Sequence, residues 1–554
     1  MSTANRLNEV VPLDPDTKRF RLYWLLILVV ALGALVSRVP RLSLRPMHTD
    51  EAVHAAKFGD LLDRGRYEYN PHEFHGPTLN YFTLIPAWLS GARTYAAISE
   101  FTLRVVPVAF SVLLIALTAL LVGGFGPATI PIALVAAVSP AMFFYSRYYI
   151  QETLLVCFTF GAIAAGYRYA RTQAWPWAVV AGVFVGLMHA TKETCIIAYG
   201  AMALALVLVV LMRVGRGQSL RDIAGGLRLG HIVLGLAAAV LVSALFFSPF
   251  LTHPRGVVDS YLTYGTYLTR AGGQNSVHTH PWYYYVHMLL LSRYADGPLW
   301  TEGWIVVLAL VGLVVAMRGR GVAGMDPDLL RFVAFYTLAL TVVYSALPYK
   351  TPWCMLSFLH GMILLAGVGA VALVARARDR RTRAVVVVLL FLPTAHLAFQ
   401  AYRGSFVYEA DSRNPYVYAH TTDEIFTVVD RIKAYAGLDG LGQTVPIDVA
   451  CPGGDYWPLP WYLRSFQVHW SNEIPQTVGP LIIVSDQLEA ALIRRLYVEA
   501  PIDQRRMYLY LFDEPYYVWL RPKVELLGFV RKDFWERQRP RPDASEFTED
   551  QRGQ

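Results

Sequence analysis

The segment KRFRLYWLLILVVALGALVSRVP, residues 18–40, decides the class of the fold. Basic residues precede the apolar block Leu22 to Val36, and Ser37-Arg38-Val39-Pro40 behind it offers no small-residue cleavage site. We therefore predict an uncleaved first membrane span. Similar blocks recur along the 554-residue chain, which is 55% hydrophobic with a mean hydropathy of +0.37. Most approach the ~20 residues that a helix needs to cross a bilayer.

The apolar blocks predict about eleven membrane-spanning helices. With that number, the basic residues of every short connection fall on the side of the N-terminus, which the positive-inside rule makes cytoplasmic. The net charge of +8 therefore reflects topology and not a nucleic-acid-binding face. The four cysteines show no zinc-type spacing. The predicted spans are residues 22–39, 101–123, 127–146, 150–167, 176–191, 195–212, 231–251, 299–317, 330–348, 353–375 and 384–402.

The sequence thus predicts a polytopic α-helical protein of the cell membrane, with a cytoplasmic N-terminus and a small C-terminal extracytoplasmic α/β domain. Residues 1–402 form the predicted transmembrane domain, which includes a first outer loop at residues 40–100. Residues 403–540 form the α/β domain. Residues 541–554, rich in Arg, Pro, Asp and Gln, are predicted to be a disordered tail.

Alternating apolar and turn-forming segments define the predicted α/β domain. Thr421 and Glu424 have the spacing of a capping box ahead of an amphipathic helix. Strands are expected at residues 445–450 and 481–484, followed by a helix at 486–497. Residues 508–512 and 516–520 are expected to pair with each other as strands.

The stretch His48-Thr49-Asp50-Glu51-Ala52-Val53-His54 follows the first span. Adjacent carboxylates near a membrane are costly unless they do chemistry or hold an ion. A helix that starts near Thr49 would place Asp50, His54 and Lys57 on one face. A carboxylate there suits general-base catalysis. The alternative is that Asp50 only caps the helix.

Further polar groups are predicted at outer helix ends and turns, on the same side as Asp50. Cations beside aromatic residues are typical of a site for a phosphate and a sugar or prenyl chain, although lysines there also simply extend to lipid headgroups. An acid that opens a span, such as Glu152, faces a cavity or a cation, and Arg147 is a candidate partner. The candidate substrate-binding residues are His54, His75, Arg147, Glu152, Lys192, Glu193, His280 and Lys350.

The order of these motifs resembles the GT-C superfamily of glycosyltransferases, in the branch of protein O-mannosyltransferases and aminoarabinose transferases. Within that branch the chain is most similar to the flippase-activity-associated family of bacteria and archaea, a match supported by the phrases Asn414 to His420 and Tyr456 to Tyr462. The shared motifs are the Asp50-Glu51 pair, Leu79-Asn80-Tyr81-Phe82, Glu152, Lys192, His280-Pro281-Trp282 and Lys350-Thr351-Pro352-Trp353.

The resemblance implies a GT-C fold and a hexosyltransferase-like enzyme. Its reaction would be an inverting transfer of a sugar from a polyprenyl-phosphate-linked donor to a protein, lipid or glycan on the outer face. Asp50 would be the catalytic base, with Glu51 beside it to orient the helix or a metal. The groups implied near the lipid phosphate are His75, Lys192 and Lys350, with Glu152 lining the same cavity. Relatives have Lys-Pro where this chain has His75-Gly76-Pro77.

Two other functions, and a possible metal cofactor, are alternatives to this prediction. The same charged cavity would suit a flippase or transporter of lipid-linked sugars without bond chemistry, although no internal repeat of the transporter kind is visible. An accessory component of glycan assembly is the other rival. No cofactor is certain. A divalent metal ion is an alternative because His48, His54, His72 and His75 lie near one another in sequence, but no pair has a recognised ligand spacing.

Overall fold

The computed structural model describes residues 18–72, 75–271, 278–319, 324–436 and 445–538. The predicted tail 541–554 lies outside the described residues. Two compact units share the chain. The first draws on Met1–Ser43, Lys57–Thr94 and Ile98–Tyr418; the second draws on Leu44–Ala56, Tyr95–Ala97 and Ala419–Gln554. Two pieces of the predicted outer loop, Leu44–Ala56 and Tyr95–Ala97, therefore belong to the same unit as the C-terminal part of the chain. The predicted domain boundaries stay a prediction.

Helices α1 to α18 precede the C-terminal region. They are α1 (Lys18–Arg38), α2 (Thr49–Arg64), α3 (Thr78–Leu89), α4 (Glu100–Leu117), α5 (Val122–Phe125), α6 (Thr129–Val138), α7 (Pro140–Tyr145), α8 (Glu152–Thr172), α9 (Trp175–His189), α10 (Cys195–Val214), α11 (Leu220–Ala224), α12 (Leu229–Phe247), α13 (Arg255–Ala271), α14 (Tyr284–Leu290), α15 (Gly303–Arg318), α16 (Pro327–Ala346), α17 (Leu356–Arg376) and α18 (Arg380–Tyr402). The helix that was predicted to begin near Thr49 is confirmed as α2.

A multi-pass membrane protein is confirmed by the length and apolar character of these helices. Within the described ranges, eight helical stretches are long and apolar enough to cross a bilayer, and α9 and α15 are shorter apolar helices. Most of the residues of α8 are buried, whereas most of those of α12 are not. Helix α8 is therefore central in its unit, while α12 exposes apolar side chains suited to lipid contact. The count of eleven spans stays a prediction.

One stretch, Glu100–Val138, joins two predicted spans in 39 residues. As a single helix it would be about 58 Å long, roughly twice the thickness of the hydrocarbon layer. Short turns of 3₁₀ helix interrupt it near Gly126, which has a φ of +53°. A Cβ atom there would lie 2.4 Å from the carbonyl oxygen of Gly324, so only glycine fits. Helix α6 ends at Val138, earlier than predicted, because Ser139 caps a new helix that starts at Pro140.

The second unit contains a mixed six-stranded sheet with helices around it. The strand order is β2-β1-β3-β6-β4, and β5 also pairs with β6. Strand β1 is parallel to β2 and β3, whereas β6 is antiparallel to β3, β4 and β5. The elements are α19 (Ile425–Ala436), β1 (Ile447–Ala450), α20 (Leu459–Tyr462), β2 (Val468–Ser471), β3 (Leu481–Ser485), α21 (Glu489–Arg494), β4 (Tyr508–Tyr510), β5 (Tyr517–Arg521), β6 (Val524–Arg531) and α22 (Lys532–Gln538). The small C-terminal sheet domain is thereby confirmed.

Two local predictions for this unit were wrong. Strands β4 and β5 do not pair with each other, because each pairs with β6, which the sequence analysis missed. The amphipathic helix exists as α19, but its capping box does not form. Thr421 Oγ1 donates to the Met47 carbonyl (2.7 Å), and the Glu424 carboxylate accepts from the Trp519 amide (2.6 Å). Both side chains therefore bond to residues distant in sequence and not to the first turn of α19.

Candidate active site

His48 and Glu51 form a reciprocal cap at the start of α2. The Asp50 amide donates to His48 Nδ1 (3.1 Å), and Glu51 Oε2 accepts from the His48 amide (3.0 Å). This arrangement is a variant of the capping box: histidine replaces serine or threonine, and its ring accepts from the second amide of the helix and not the third. It satisfies amide groups that the first helical turn otherwise leaves unbonded. The residue that caps α2 is therefore His48, whereas Asp50 was the alternative considered from sequence.

Glu51 is fully buried and forms an ion pair with Arg45. Arg45 Nη2 lies 3.0 Å from each carboxylate oxygen of Glu51, and the Arg45 side chain is only 5% exposed. A buried charge needs such a partner, because burial removes its hydration. Glu51 thus holds the segment before α2 against the helix's first turn.

Asp50 differs from Glu51 in both exposure and hydrogen bonding. It is partly exposed, and among the residues that the structure describes no group bonds to its carboxylate. An acceptor hydroxyl can therefore reach a lone pair that no arginine or amide occupies. The geometry separates the two predicted catalytic acids into an open carboxylate and a structural one. His54 lies one turn further along α2 and is partly buried.

The segment that carries Asp50 is anchored on both sides within the second unit. The Met47 amide donates to the Tyr462 hydroxyl (2.8 Å), while the Met47 carbonyl accepts from Thr421. The ring of His48 packs on that of His420, with a centroid separation of 4.8 Å. The position of Asp50 within its unit therefore depends on residues more than 350 positions away in the sequence.

In the first unit, Lys192 and Glu152 form a buried ion pair. Glu152 is the first residue of α8, as predicted, and Lys192 lies in the turn between α9 and α10. Both side chains are less than a tenth exposed. The cationic partner of Glu152 is therefore Lys192, and this acid neutralises one of the charges that were expected to meet a phosphate.

The next residue, Glu193, pairs with His75. His75 Nδ1 lies 2.8 Å from Glu193 Oε2, and the Tyr69 hydroxyl donates to Oε1 (3.4 Å). Gly76 allows this approach: a Cβ atom there would lie 2.3 Å from the Ala190 carbonyl oxygen. The segment with the unusual His75-Gly76-Pro77 sequence thus packs directly on the turn that carries Lys192 and Glu193.

The His75–Glu193 pair gives a pH-dependent contribution to stability. Burial alone would raise the pKa of Glu193, but the charge and hydrogen bond of His75 hold it below its usual range. A lowered carboxyl pKa stabilises the fold above the ordinary value of 4.5, and this contribution is lost as the pH falls through the lowered pKa. We expect thermal unfolding in detergent to show a smaller loss of stability below pH 4.5 for Glu193→Gln than for the wild type. Equal pH slopes would contradict the assignment.

Lys350 and His280 form a second group in the same unit. Residues 278–280 and 348–350 run side by side: the Lys350 amide donates to the His278 carbonyl (2.9 Å), and the His280 amide donates to that of Pro348 (3.0 Å). The His280 ring stacks on Tyr284 at 4.2 Å between centroids. Burial, followed by the charges of His278 and Lys350, lowers the pKa of His280. This histidine therefore offers a neutral ring and not a second cation.

The Lys350 ammonium is buried without a carboxylate. It donates to the carbonyls of His280 (3.1 Å) and Leu347, and among the described residues no acid pairs with it. Burial lowers its pKa, since the charged form loses hydration. Lys350 is the buried cation here that an anionic ligand would best stabilise.

Arg147 is directed toward backbone carbonyls at the end of α1. Its Nη1 donates to the carbonyls of Arg38 (2.6 Å) and Pro40 (2.8 Å), and its guanidinium lies 4.3 Å from the ring centre of Phe406. These contacts favour a structural role. Its predicted substrate contact stays a prediction.

Two residues near these groups were not singled out from sequence. The Tyr418 hydroxyl lies 2.8 Å from His278 Nδ1 and 3.4 Å from His280 Nε2. Glu302 is fully buried before α15 and accepts from Ser139 Oγ (2.5 Å) and the Tyr416 hydroxyl (2.8 Å). An acid directly before an apolar helix was the available signal for Glu302. For Tyr418 only its place in the quoted tail phrase hinted at a role.

No metal site emerges from the candidate ligands. In the parts of the chain with described structure, no group of three or more His, Cys, Asp or Glu side chains is placed to hold an ion. Glu51 is occupied by Arg45, and His75 by Glu193. A divalent metal ion at this site stays a prediction.

Comparison with solved structures decides the fold. No family model and no curated protein matches the sequence. The crystal structure of ArnT from Cupriavidus metallidurans in the apo state is similar, with a TM-score of 0.58 and 15% identity over 92% of this chain and 97% of that one. ArnT bound to undecaprenyl phosphate gives the same values. The chain has the GT-C fold.

A second structure supports the GT-C fold. The Archaeoglobus fulgidus oligosaccharyltransferase in the apo form matches with a TM-score of 0.54 and 11% identity, over 90% of this chain and 72% of that one. The structural likeness establishes the GT-C fold. Because the sequence identities are so low, it does not assign roles to individual residues. The closer resemblance to the flippase-activity-associated family stays a prediction.

Proposed function

We propose that this protein is an inverting membrane glycosyltransferase that uses a polyprenyl-phosphate-linked sugar. The GT-C fold supports the general class, since its solved neighbours include ArnT, which was crystallised with undecaprenyl phosphate. The observation that carries the proposal is the open carboxylate of Asp50 on a rigidly capped helix. We further propose, from the distribution of basic residues, that transfer takes place on the extracytoplasmic face.

In the proposed reaction, a nucleophilic group of the acceptor attacks the anomeric carbon of the donor sugar. The bond from that carbon to the phosphate oxygen breaks, and the polyprenyl phosphate leaves with the electron pair. Asp50 takes the proton of the acceptor as general base. Because the acceptor attacks the face opposite the phosphate, the configuration at the anomeric carbon is inverted. The leaving group is a stable phosphate monoester, so one carboxylate suffices. Glu51 positions the helix that carries Asp50.

Lys350 is the proposed phosphate-binding residue. Its ammonium lacks a carboxylate partner among the described residues, whereas Lys192 is paired with Glu152. We propose that Lys192 and His75 lie near the phosphate-binding region and help to hold its structure through their ion pairs with Glu152 and Glu193. His280, through its neutral ring, and Glu152 are proposed to line it.

Replacing Lys350 should separate binding from stability. We expect Lys350→Met to weaken binding of the lipid-linked donor by about tenfold to a hundredfold, the value of a charged hydrogen bond. The thermal midpoint without donor should stay equal or rise, because an unpaired buried charge has been removed. Donor titration and thermal unfolding in detergent measure the two effects. The control is Lys433→Met, which removes an exposed charge from α19. Unchanged donor affinity would contradict the phosphate role.

A reconstituted assay tests transfer against transport. Proteoliposomes receive a polyprenyl-phosphate sugar that is radiolabelled in the sugar, together with membrane extract as the source of acceptor. A transferase moves label from the lipid to a protein, lipid or glycan and releases polyprenyl phosphate. A flippase changes the leaflet of the labelled lipid and leaves its bond intact. Translocation without any transfer would overturn the proposal in favour of the transporter.

A further inference from the structure

The first unit contains an apolar cavity of about 600 Å³ between α1, α6 and α18, with a short π-helical turn, Arg403–Val407, at one end. Small residues create the space, among them Gly33, Ala137 and Ala398. The size is typical of ligand sites. Gly33 and the nearby Leu134 are exposed, so in a membrane-spanning protein this cavity opens toward the lipid.

Arginines surround one end of this cavity. Phe143 and Phe406 line that end. The guanidinium of Arg38 lies 4.6 Å from the ring centre of Phe143, and that of Arg147 lies behind Phe406. Arg41 lines the cavity itself. The cavity is therefore apolar along its length and positively charged at one end.

The positive charge at this end is incompletely balanced. Arg38 is fully buried and donates to Ser146 Oγ (3.1 Å) and to the Ala137 carbonyl (2.9 Å); within the described ranges no carboxylate pairs with it. Arg41 contacts Glu409 at 3.4 Å, with 48% of its side chain exposed. A long, half-exposed ion pair is weak and easily exchanged for a stronger anion.

We propose that this cavity binds one anionic phospholipid of the membrane, with acyl chains along α1, α6 and α18 and the phosphate beside Arg41. The opening toward the bilayer selects a membrane lipid as occupant, and the arginines select a negative headgroup. Asp50 and Lys350, the residues proposed above as base and phosphate contact, do not line this cavity, whereas Arg147, a predicted substrate contact, lies behind its wall at Phe406. It gives the protein a lipid requirement of its own.

Filling the cavity tests the proposal. A Cβ atom on Gly33 meets nothing within 4 Å, so Gly33→Leu adds a side chain to the cavity wall from a Cβ that has open space around it. Gly200, exposed on α10, has equally open surroundings at its Cβ and supplies the control Gly200→Leu. Delipidated protein is titrated with phosphatidylglycerol or phosphatidylcholine and examined by native mass spectrometry. We expect the one-lipid adduct with phosphatidylglycerol to fall about tenfold in Gly33→Leu and to persist in Gly200→Leu. Equal adducts in both variants would overturn the site.

The charge is tested separately. Arg41→Gln should reduce the preference for phosphatidylglycerol over phosphatidylcholine by about fivefold. Arg93→Gln, which removes an exposed arginine elsewhere in the same unit, should leave that preference intact. Wild-type protein that binds the two phospholipids equally would overturn the proposed headgroup. Displacement of phosphatidylglycerol by equimolar polyprenyl phosphate would assign the cavity to the carrier lipid and overturn the proposed occupant.

Discussion

Asp50→Asn is expected to reduce sugar transfer by about 10²- to 10⁴-fold, the contribution of a positioned general base. The amide has nearly the same shape as the carboxylate but cannot accept the acceptor's proton. Because no group bonds to the Asp50 carboxylate among the described residues, the substitution breaks no contact within the fold. The loss should appear in transfer at saturating donor, with donor affinity nearly unchanged.

The control for this variant lies on the same helix. Asp60 is 46% exposed and pairs with Arg64 at 3.4 Å, so Asp60→Asn also removes a negative charge from α2. It should transfer at the wild-type rate. Asp50→Asn protein that inserts normally and retains transfer within a factor of about three would remove Asp50 from the mechanism.

Glu51→Leu is expected to destabilise the protein by about 3–5 kcal/mol, because Arg45 then keeps its charge in a buried site without a partner. Thermal unfolding in detergent should show a midpoint lowered on the order of 10 °C. The double variant Arg45→Met/Glu51→Leu should recover much of this loss, since no charge then remains buried. Such recovery is the mark of an ion pair and would not follow if Glu51 acted only as a catalytic acid.

An exposed pair provides the comparison. Arg66 and Glu68 form an ion pair with side chains 61% and 57% exposed. Glu68→Ala should change stability by less than about 1 kcal/mol. A similar small effect for Glu51→Leu would show that burial of the Arg45–Glu51 pair has been overestimated and would return Glu51 to the list of open catalytic acids.

Local sequence signals sufficed for much of the fold. Apolar runs identify spans because a helix in a bilayer must satisfy its backbone internally and expose apolar side chains. The start of α2 at Thr49 follows from polar residues in its first turn, and the acid at position 152 from the apolar helix behind it. Each of these features depends on neighbours within a turn or two of helix.

Pairings between residues that are distant in the chain could not be predicted from the sequence. Nothing near Glu152 indicates that Lys192, 40 positions away, is its partner. Strand β6 pairs with three strands, so neither β4 nor β5 needs the other. From the amino-acid sequence alone, Asp50 and Glu51 are equally good candidates for a catalytic acid or base. Only the fold places Arg45 against Glu51 and leaves the Asp50 carboxylate without such a partner among the described residues, which is why we propose different roles for them.

The membership of residues 44–56 in the unit completed by residues 419–554 has a consequence for biosynthesis. A ribosome translates the Asp50 segment hundreds of codons before Thr421 and Tyr462, the residues that anchor Met47. Until then the Tyr462 and Thr421 hydroxyls are not present to bond the Met47 backbone. A chain terminated before these residues would therefore lack both hydrogen bonds that anchor Met47, so the backbone beside Asp50 would not be held as it is in the finished protein.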